Sequence, residues 1–339
     1  MTHGKRVLIT GAGGFIGRWS VPPLLRRGFE VHVVLSGAAQ HGVDARRGVD
    51  ARHLPEQLQG ATVQVADLLQ ESDVEELMKR VAPTHLLHFA WIATPGLYWS
   101  SADNYRWLAA SQHLLRCFGT YGGLRAVMAG SCAEYDWARV GVCEERSSPL
   151  ADEMAASPYA ACKIAMQQAL ADYGRLDHVS TAWGRIFFQF GPHEHPDRLV
   201  PSVIRNLLQD QEARVSHGRQ VRSFLHVADV GSAFAAVLDS PLQGPVNIGS
   251  DERIALAELI DRIARQIGRP DLVRLGAREE AAREPEPERQ REPALLIPDI
   301  HRLRDEAQWR PAIGLDEGLK GTIDWWRRRL VETSVEASR

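Results

Sequence analysis

The chain has 339 residues, 44% of them hydrophobic and 24% charged, which describes a soluble globular protein too long for one compact core, so two lobes are expected. Its formal charge of −3 gives no overall basic field for nucleic acid or a membrane surface, and no apolar run approaches a membrane span of about 18 residues. Four cysteines (Cys117, Cys132, Cys143 and Cys162) lack metal-type spacing and read as reduced thiols of a cytoplasmic protein, and the chain enters a strand at once where a signal peptide would stand.

From residue 5 to about 130, short apolar runs alternate with helical patterns: strands at 6–10, 30–35, 62–66, 84–89 and 125–130, helices near 15–27, 72–81 and 103–120. That alternation predicts a parallel sheet covered on both faces. Between the first strand and first helix stands Gly11-Ala12-Gly13-Gly14-Phe15-Ile16-Gly17. A glycine turn there lets the backbone approach a pyrophosphate, which the helix start meets with N–H donors. Pro22-Pro23 should kink or shorten that helix. A carboxylate closing the second strand would bind the ribose 2′-hydroxyl of NAD. The chain instead has Leu35-Ser36-Gly37, with no acid until Asp44 and with Arg46 and Arg47 within loop reach. This favours NADP(H) and leaves NAD(H) open. Residues 37–53 read as a surface loop.

The fifth strand stops at Gly130-Ser131, where a side chain can emerge at the sheet edge. Ser157 is placed to cap a helix with Pro158 at its first position. Tyr159 and Lys163, four apart, then share one helix face. An ammonium beside a phenol favours the phenolate, so Tyr159 is expected below the usual value of about 10. Ser131 can hold a substrate oxygen while Tyr159 exchanges its proton. Further on, 179–188 reads as a sixth strand, the run from Arg278 to Pro293 as an exposed charged loop, and Leu319, Ile323 and Trp326 as the core face of a helix over 316–330.

Gly11-x-x-Gly14-x-x-Gly17 with Ser131, Tyr159 and Lys163 resembles the extended short-chain dehydrogenase/reductase family. Asp67-Leu68, His88-Phe89-Ala90, Asn104, Arg185, Gly191-Pro192, Arg222, Asp229 and Asn247-Ile248-Gly249 fit it in order. The resemblance implies an α/β fold, a Rossmann-type doubly wound parallel sheet over residues 1–190 with 227–250 returning to it. A smaller, mainly C-terminal substrate-binding domain would occupy 191–339. It implies catalysis by Ser131, Tyr159 and Lys163. Cofactor contacts would come from Gly11, Gly14, Phe15, Ile16, Gly17, Ser36, Asp67, Leu68, Phe89, Ala90 and Lys163. Substrate contacts would come from Trp91, Ser131, Cys132, Phe188, Arg198 and Arg222. The implied partner is a nucleotide-diphosphate sugar; a homodimer is compatible with it. No metal is expected, since His193 and His195 flank Glu194 without His-Glu-x-x-His spacing. For Arg289 and Arg291 a solvated loop is preferred to a nucleotide contact.

The resembling enzymes include sugar 4-reductases, 4-epimerases and 4,6-dehydratases. In the dehydratases an Asp-Glu pair directly follows the residue matching Ser131; here Cys132 and Ala133 stand there, and Glu134 is displaced by one. Dehydration is therefore disfavoured. Phe188 replaces a frequent asparagine, which suits a deoxy sugar, and Trp91, Trp99, Trp137 and Trp183 are placed to line such a pocket. The expectation is NAD(P)H-dependent reduction of the 4-keto group of a nucleotide-linked 4-keto-6-deoxyhexose. A 4-epimerase retaining its cofactor is the alternative. A non-catalytic dinucleotide sensor, the third reading, would have lost Tyr159 or Lys163, and both are present.

Overall fold

The computed structural model describes residues 4–36, 54–151, 157–177, 179–277 and 293–337. Asp44, Arg46, Arg47 and the charged run through Arg289 and Arg291 lie outside them. Seven strands form one parallel sheet: β1 (Arg6–Thr10), β2 (Glu30–Leu35), β3 (Thr62–Val65), β4 (His85–His88), β5 (Arg125–Ser131), β6 (Ser180–Ile186) and β7 (Gly244–Ile248). Their order is β7-β6-β5-β4-β1-β2-β3. The strands read as apolar runs, not as alternating patterns, because helices bury both faces. The order reverses between β1 and β4, and the crevice outside the carboxyl ends of those strands is where such sheets bind ligands.

The helices are α1 (Val21–Arg26), α2 (Glu71–Val81), α3 (Asp103–Thr120), α4 (Pro158–Leu176), α5 (Leu199–Leu208), α6 (Val227–Leu238), α7 (Leu256–Ile267) and a last helix, Leu315–Ala337. Leu77, Leu114, Phe118 and Met166 from α2, α3 and α4 pack on one sheet face, against Leu8 and Met128. Leu24 and Phe234 from α1 and α6 pack on the other, against Ile9 and Val127. A separate core joins Val203 and Ile204 of α5, Leu259 and Ile263 of α7, and Leu319, Ile323 and Trp326 of the last helix. Each such side chain contributes about 1.5–3 kcal/mol on burial, so this second core binds the three helices to one another.

Several boundaries differ from the sequence reading. The first helix is a 3-10 turn, Gly17–Ser20, followed by only six residues of α1. Pro22 and Pro23 fall in its first turn, where a missing N–H breaks no helical bond. The sixth strand ends at Ile186. Phe188–Phe190 then pairs with Phe224–His226 in a sheet of its own, which carries Phe188 off the main sheet. The last helix runs beyond 330, to Ala337. No helix among the described residues is long and apolar enough to cross a membrane.

Candidate active site

The glycine turn is held by close backbone packing. Gly11 has φ +69°, and a Cβ there would lie 2.7 Å from the Ala90 nitrogen; one on Gly17 would lie 2.4 Å from the Gly11 oxygen. Only glycine fits either place without backbone movement. The buried Arg18 donates to the carbonyls of Gly13 (2.5 Å) and Gly14 (2.9 Å), which turns those oxygens to the protein and stiffens the loop. Across the crevice, His88 Nδ1 meets Thr10 Oγ1 at 2.7 Å and its Nε2 meets Ser111 Oγ at 2.9 Å. Burial drives this histidine down to about 3, so the ring is neutral and ties β4 to β1 and α3. Phe89 packs edge-on against Phe234 at 4.7 Å, and the Phe89 nitrogen donates to the Thr10 carbonyl. Asp67 and Ser36 are exposed past the ends of β3 and β2. One Asp67 oxygen accepts from the Leu69 nitrogen at 3.0 Å. Phe15, Ile16 and Ala90 are half-buried around the turn, and Leu68 is buried beside Asp67. The residues therefore fit a dinucleotide: a side-chain-free backbone cradle at the switch point, with a carboxylate beyond β3.

Ser131, Tyr159 and Lys163, the residues expected to transfer the proton, come together at the ends of β5 and α4. Ser131 is the last residue of β5, and Ser157 Oγ caps α4 by accepting from the Ala160 nitrogen at 3.2 Å, with Pro158 first in the helix. Tyr159 is hydrogen-bonded to the Ser131 side chain. The expected depression of its pKa is not found: burial pushes the phenol up, and the Ser131 hydrogen bond only partly offsets this. The reason is where Lys163 points. Its ammonium donates to the Ala129 carbonyl at 2.9 Å and stands 3.8 Å from the centre of the Trp91 ring. The Tyr159 ring centre is 5.8 Å away. Burial pulls Lys163 down to about 7, against the raising influence of Glu134 and Cys162.

Glu134 supplies the site's hidden floor. Its side chain is fully buried, in an ion pair with Arg185 Nε at 2.7 Å, and accepts from Trp183 Nε1 at 2.9 Å and from the Ser131 nitrogen at 2.7 Å. Ser131 Oγ in turn accepts from Ala133 N, so the two residues form a reciprocal cap that fixes the serine. Trp183, expected to line the pocket, lies instead in this floor, only 2% exposed.

An aromatic wall faces Tyr159. Tyr98 stands 4.8 Å and Trp99 5.7 Å from its ring, Trp137 is 5.8 Å from Trp99, and the Tyr159 nitrogen donates to the Trp99 carbonyl. Sequence reasoning placed Trp99 and Trp137 here but missed Tyr98, whose signal was the aromatic pair directly after Gly96-Leu97. The exposed Arg198 guanidinium lies over Tyr98 at 5.4 Å, which brings a cation to the wall's outer edge. Arg222 is 1% exposed and lies 5.2 Å from the Phe188 ring, and its charge reaches Cys132. Cys132 itself points into an apolar cluster with Tyr135, Cys143, Phe187 and Leu296, and burial pushes its thiol up. Glu194 is also buried, and desolvation raises it to about 8 despite nearby Arg198.

The sequence profile of the NAD dependent epimerase/dehydratase family matches residues 7–249, spanning the whole main sheet. The chain belongs to this family. Its relatives include UDP-glucuronic acid decarboxylase 1 of Xenopus tropicalis, 24% identical, with 96% of this chain and 73% of that protein covered. UDP-glucose 4-epimerase of Thermotoga maritima, solved with UDP-glucose, superposes with a TM-score of 0.78 at 20% identity, over 96% of this chain and 99% of that one. The UDP-glucose 4-epimerase of Thermus thermophilus, solved with NAD, gives 0.74 at 26% identity, over 95% and 99%. As an enzyme of the epimerase/dehydratase family, the protein pairs a glycine cradle that fits a dinucleotide with a half-buried phenol, a serine and a lysine. That set can move a proton to or from an alcohol or carbonyl oxygen held at Ser131.

Proposed function

We propose that this protein reduces the 4-keto group of a nucleotide-linked 4-keto-6-deoxyhexose, with NADPH as the hydride source and Tyr159 as the proton donor. The bound nicotinamide supplies the hydride. Ser131 holds the keto oxygen, Tyr159 protonates it as charge develops, and the Lys163 ammonium, 5.8 Å from the centre of the Tyr159 ring and not bonded to its hydroxyl, steadies the resulting phenolate through space. The observation that carries this reading is the fate of Glu134. Chemistry at C5 and C6 needs a free carboxylate at the sugar, and Glu134 is locked beneath β5 by Arg185 and Trp183. A phenol held protonated by burial suits a donor better than a base.

The wall of Tyr98, Trp99 and Trp137, with Phe188 beyond it, offers apolar surface to a sugar short of hydroxyls. Arg198 and Arg222 are the proposed diphosphate contacts, guanidinium being a planar fork of paired donors. NADPH is preferred because β2 ends at Leu35-Ser36 without a carboxylate. A 4-epimerase is the second reading, favoured by the two solved epimerases above.

The test is incubation with a panel of nucleotide-linked 4-keto-6-deoxyhexoses and NADPH, read by mass spectrometry. Reduction adds two hydrogens to the sugar and leaves NADP⁺. The 4-epimerase is tested separately with nucleotide-linked hexoses that carry a 4-hydroxyl and with no reductant added, where a C4-inverted product of unchanged mass establishes it; no conversion of any member of either panel overturns both.

A further inference from the structure

The catalytic lysine is buried, 4% exposed, and an ammonium without partners in such a place loses its proton or its position. Two contacts hold it: the Ala129 carbonyl at 2.9 Å and the face of Trp91, whose centre lies 3.8 Å away. Tryptophan has the strongest ring for this purpose, 3.8 Å is well inside the roughly 6 Å limit, and the attraction grows when water is excluded. The indole is itself fixed. Its Nε1 donates to Asn104 Oδ1 at 2.8 Å, and Asn104, with no exposure, donates from Nδ2 to the carbonyls of Tyr98 (2.7 Å) and Ser101 (2.8 Å). One buried asparagine thus ties the ring under the lysine to the segment that presents Tyr98 and Trp99 to Tyr159.

We propose that Trp91 is a positioning residue for Lys163: its indole face, anchored through Asn104 to the aromatic wall, holds the lysine ammonium in place and keeps it charged. Trp91 therefore serves the lysine and not the sugar, against the substrate contact that sequence resemblance suggests for it. The inference rests on the reading above, in which Lys163 must be cationic to steady the Tyr159 phenolate. Other groups facing the ammonium are Glu134 below β5, Cys162 on its own helix, neutral His88 on β4, and the rings of Tyr159 and Trp183, each centred 5.8 Å away against 3.8 Å for Trp91. Glu134 favours the charged lysine from below β5 while itself paired with Arg185, and it makes no hydrogen bond to the ammonium. The aromatic face is the contribution that a single substitution can remove.

The chain makes a direct test practical, because it contains only four lysines, Lys5, Lys79, Lys163 and Lys320, of which Lys163 alone is buried. In full-length protein carrying 13C at the lysine ε-carbons, the signal of the fourth lysine, the buried Lys163, should titrate well below the ordinary lysine value of about 10.4. In Trp91→Leu the fourth midpoint should fall by about a further 0.5–1.5 units, the loss of a desolvated cation–π contact. In Trp91→Phe, which keeps a weaker aromatic face without the Asn104 anchor and guards against a folding defect, the fall should be smaller than in Trp91→Leu. An unmoved midpoint in Trp91→Leu, or an equal fall in Trp91→Phe, overturns the proposal. The alkaline limb of kcat/KM should move with the lysine signal. If the signal moves and the limb does not, Trp91 still holds the lysine, and it is the catalytic reading of Lys163 that fails.

Discussion

The proposed dinucleotide end and the proposed sugar end of this crevice are built by opposite means. At the first, the backbone does the recognising: Gly11 and Gly17 leave no room for a Cβ, and Arg18 pins the turn from behind. At the second, side chains from β5, α4, the 94–101 segment and the Trp137 loop converge, and their pKa values follow from mutual burial. A backbone-built site is contiguous in sequence and tolerates little change. A side-chain-built one is dispersed, and its chemistry depends on which group each residue happens to meet.

The comparison breaks first at Tyr159. Tyr159→Phe keeps the ring that packs on Tyr98 but removes the proton, so turnover should fall by about 10²–10⁴ with dinucleotide affinity unchanged. Turnover near wild type, measured in steady state, would refute the assignment. Next comes the floor. Glu134→Gln strands Arg185 as a buried unpaired cation, and chemical denaturation should record a loss of roughly 3–5 kcal/mol. If stability holds while turnover is lost, the carboxylate acts on substrate after all.

Legibility divides along the same line. The parallel sheet, the glycine turn and the Ser131–Tyr159–Lys163 trio could all be read from short local patterns, because each depends on neighbours in the chain. What Glu134 meets could not. Its displacement by one residue was visible, but its partners Trp183 and Arg185 come from β6, 49 and 51 positions away. The same limit explains Tyr159: spacing places Lys163 on its face, yet Trp91 and the Ala129 carbonyl take the ammonium elsewhere. Phe188 left the main sheet for a pairing with Phe224 that no local pattern announces.

At the cradle, Gly11→Ala forces a left-handed φ and a 2.7 Å approach to Ala90. Strain of about 1–3 kcal/mol should appear as a roughly 5- to 150-fold weaker dinucleotide affinity by calorimetry, or as an equal loss of stability. A pH titration sharpens the contrast further. Lys163 has a folded value of about 7, against 10.5 ordinarily, so between these the unfolded chain binds more protons and stability rises with pH. Activity needs the ammonium and should fall over the same window. Thermal melts and kcat/KM therefore run in opposite directions above about pH 7. The smallest effect expected is cofactor choice: NADPH should bind more tightly than NADH, by about tenfold, and a preference for NADH in a fluorescence titration would overturn the reading of Ser36.

The most direct test of the central claim, that the sugar end carries out hydride and hydroxyl-proton transfer with no working carboxylate, is a double-label experiment. The 4-keto-6-deoxy substrate is converted in D2O with unlabelled NADPH, and separately in H2O with NADPH deuterated at the transferred position. The account predicts one deuterium at C4 from the cofactor, and no enzyme-dependent carbon-bound deuterium from solvent. Solvent deuterium at C5 or C6 above the enzyme-free control, or sugar conversion without deuterium from the cofactor, would contradict it.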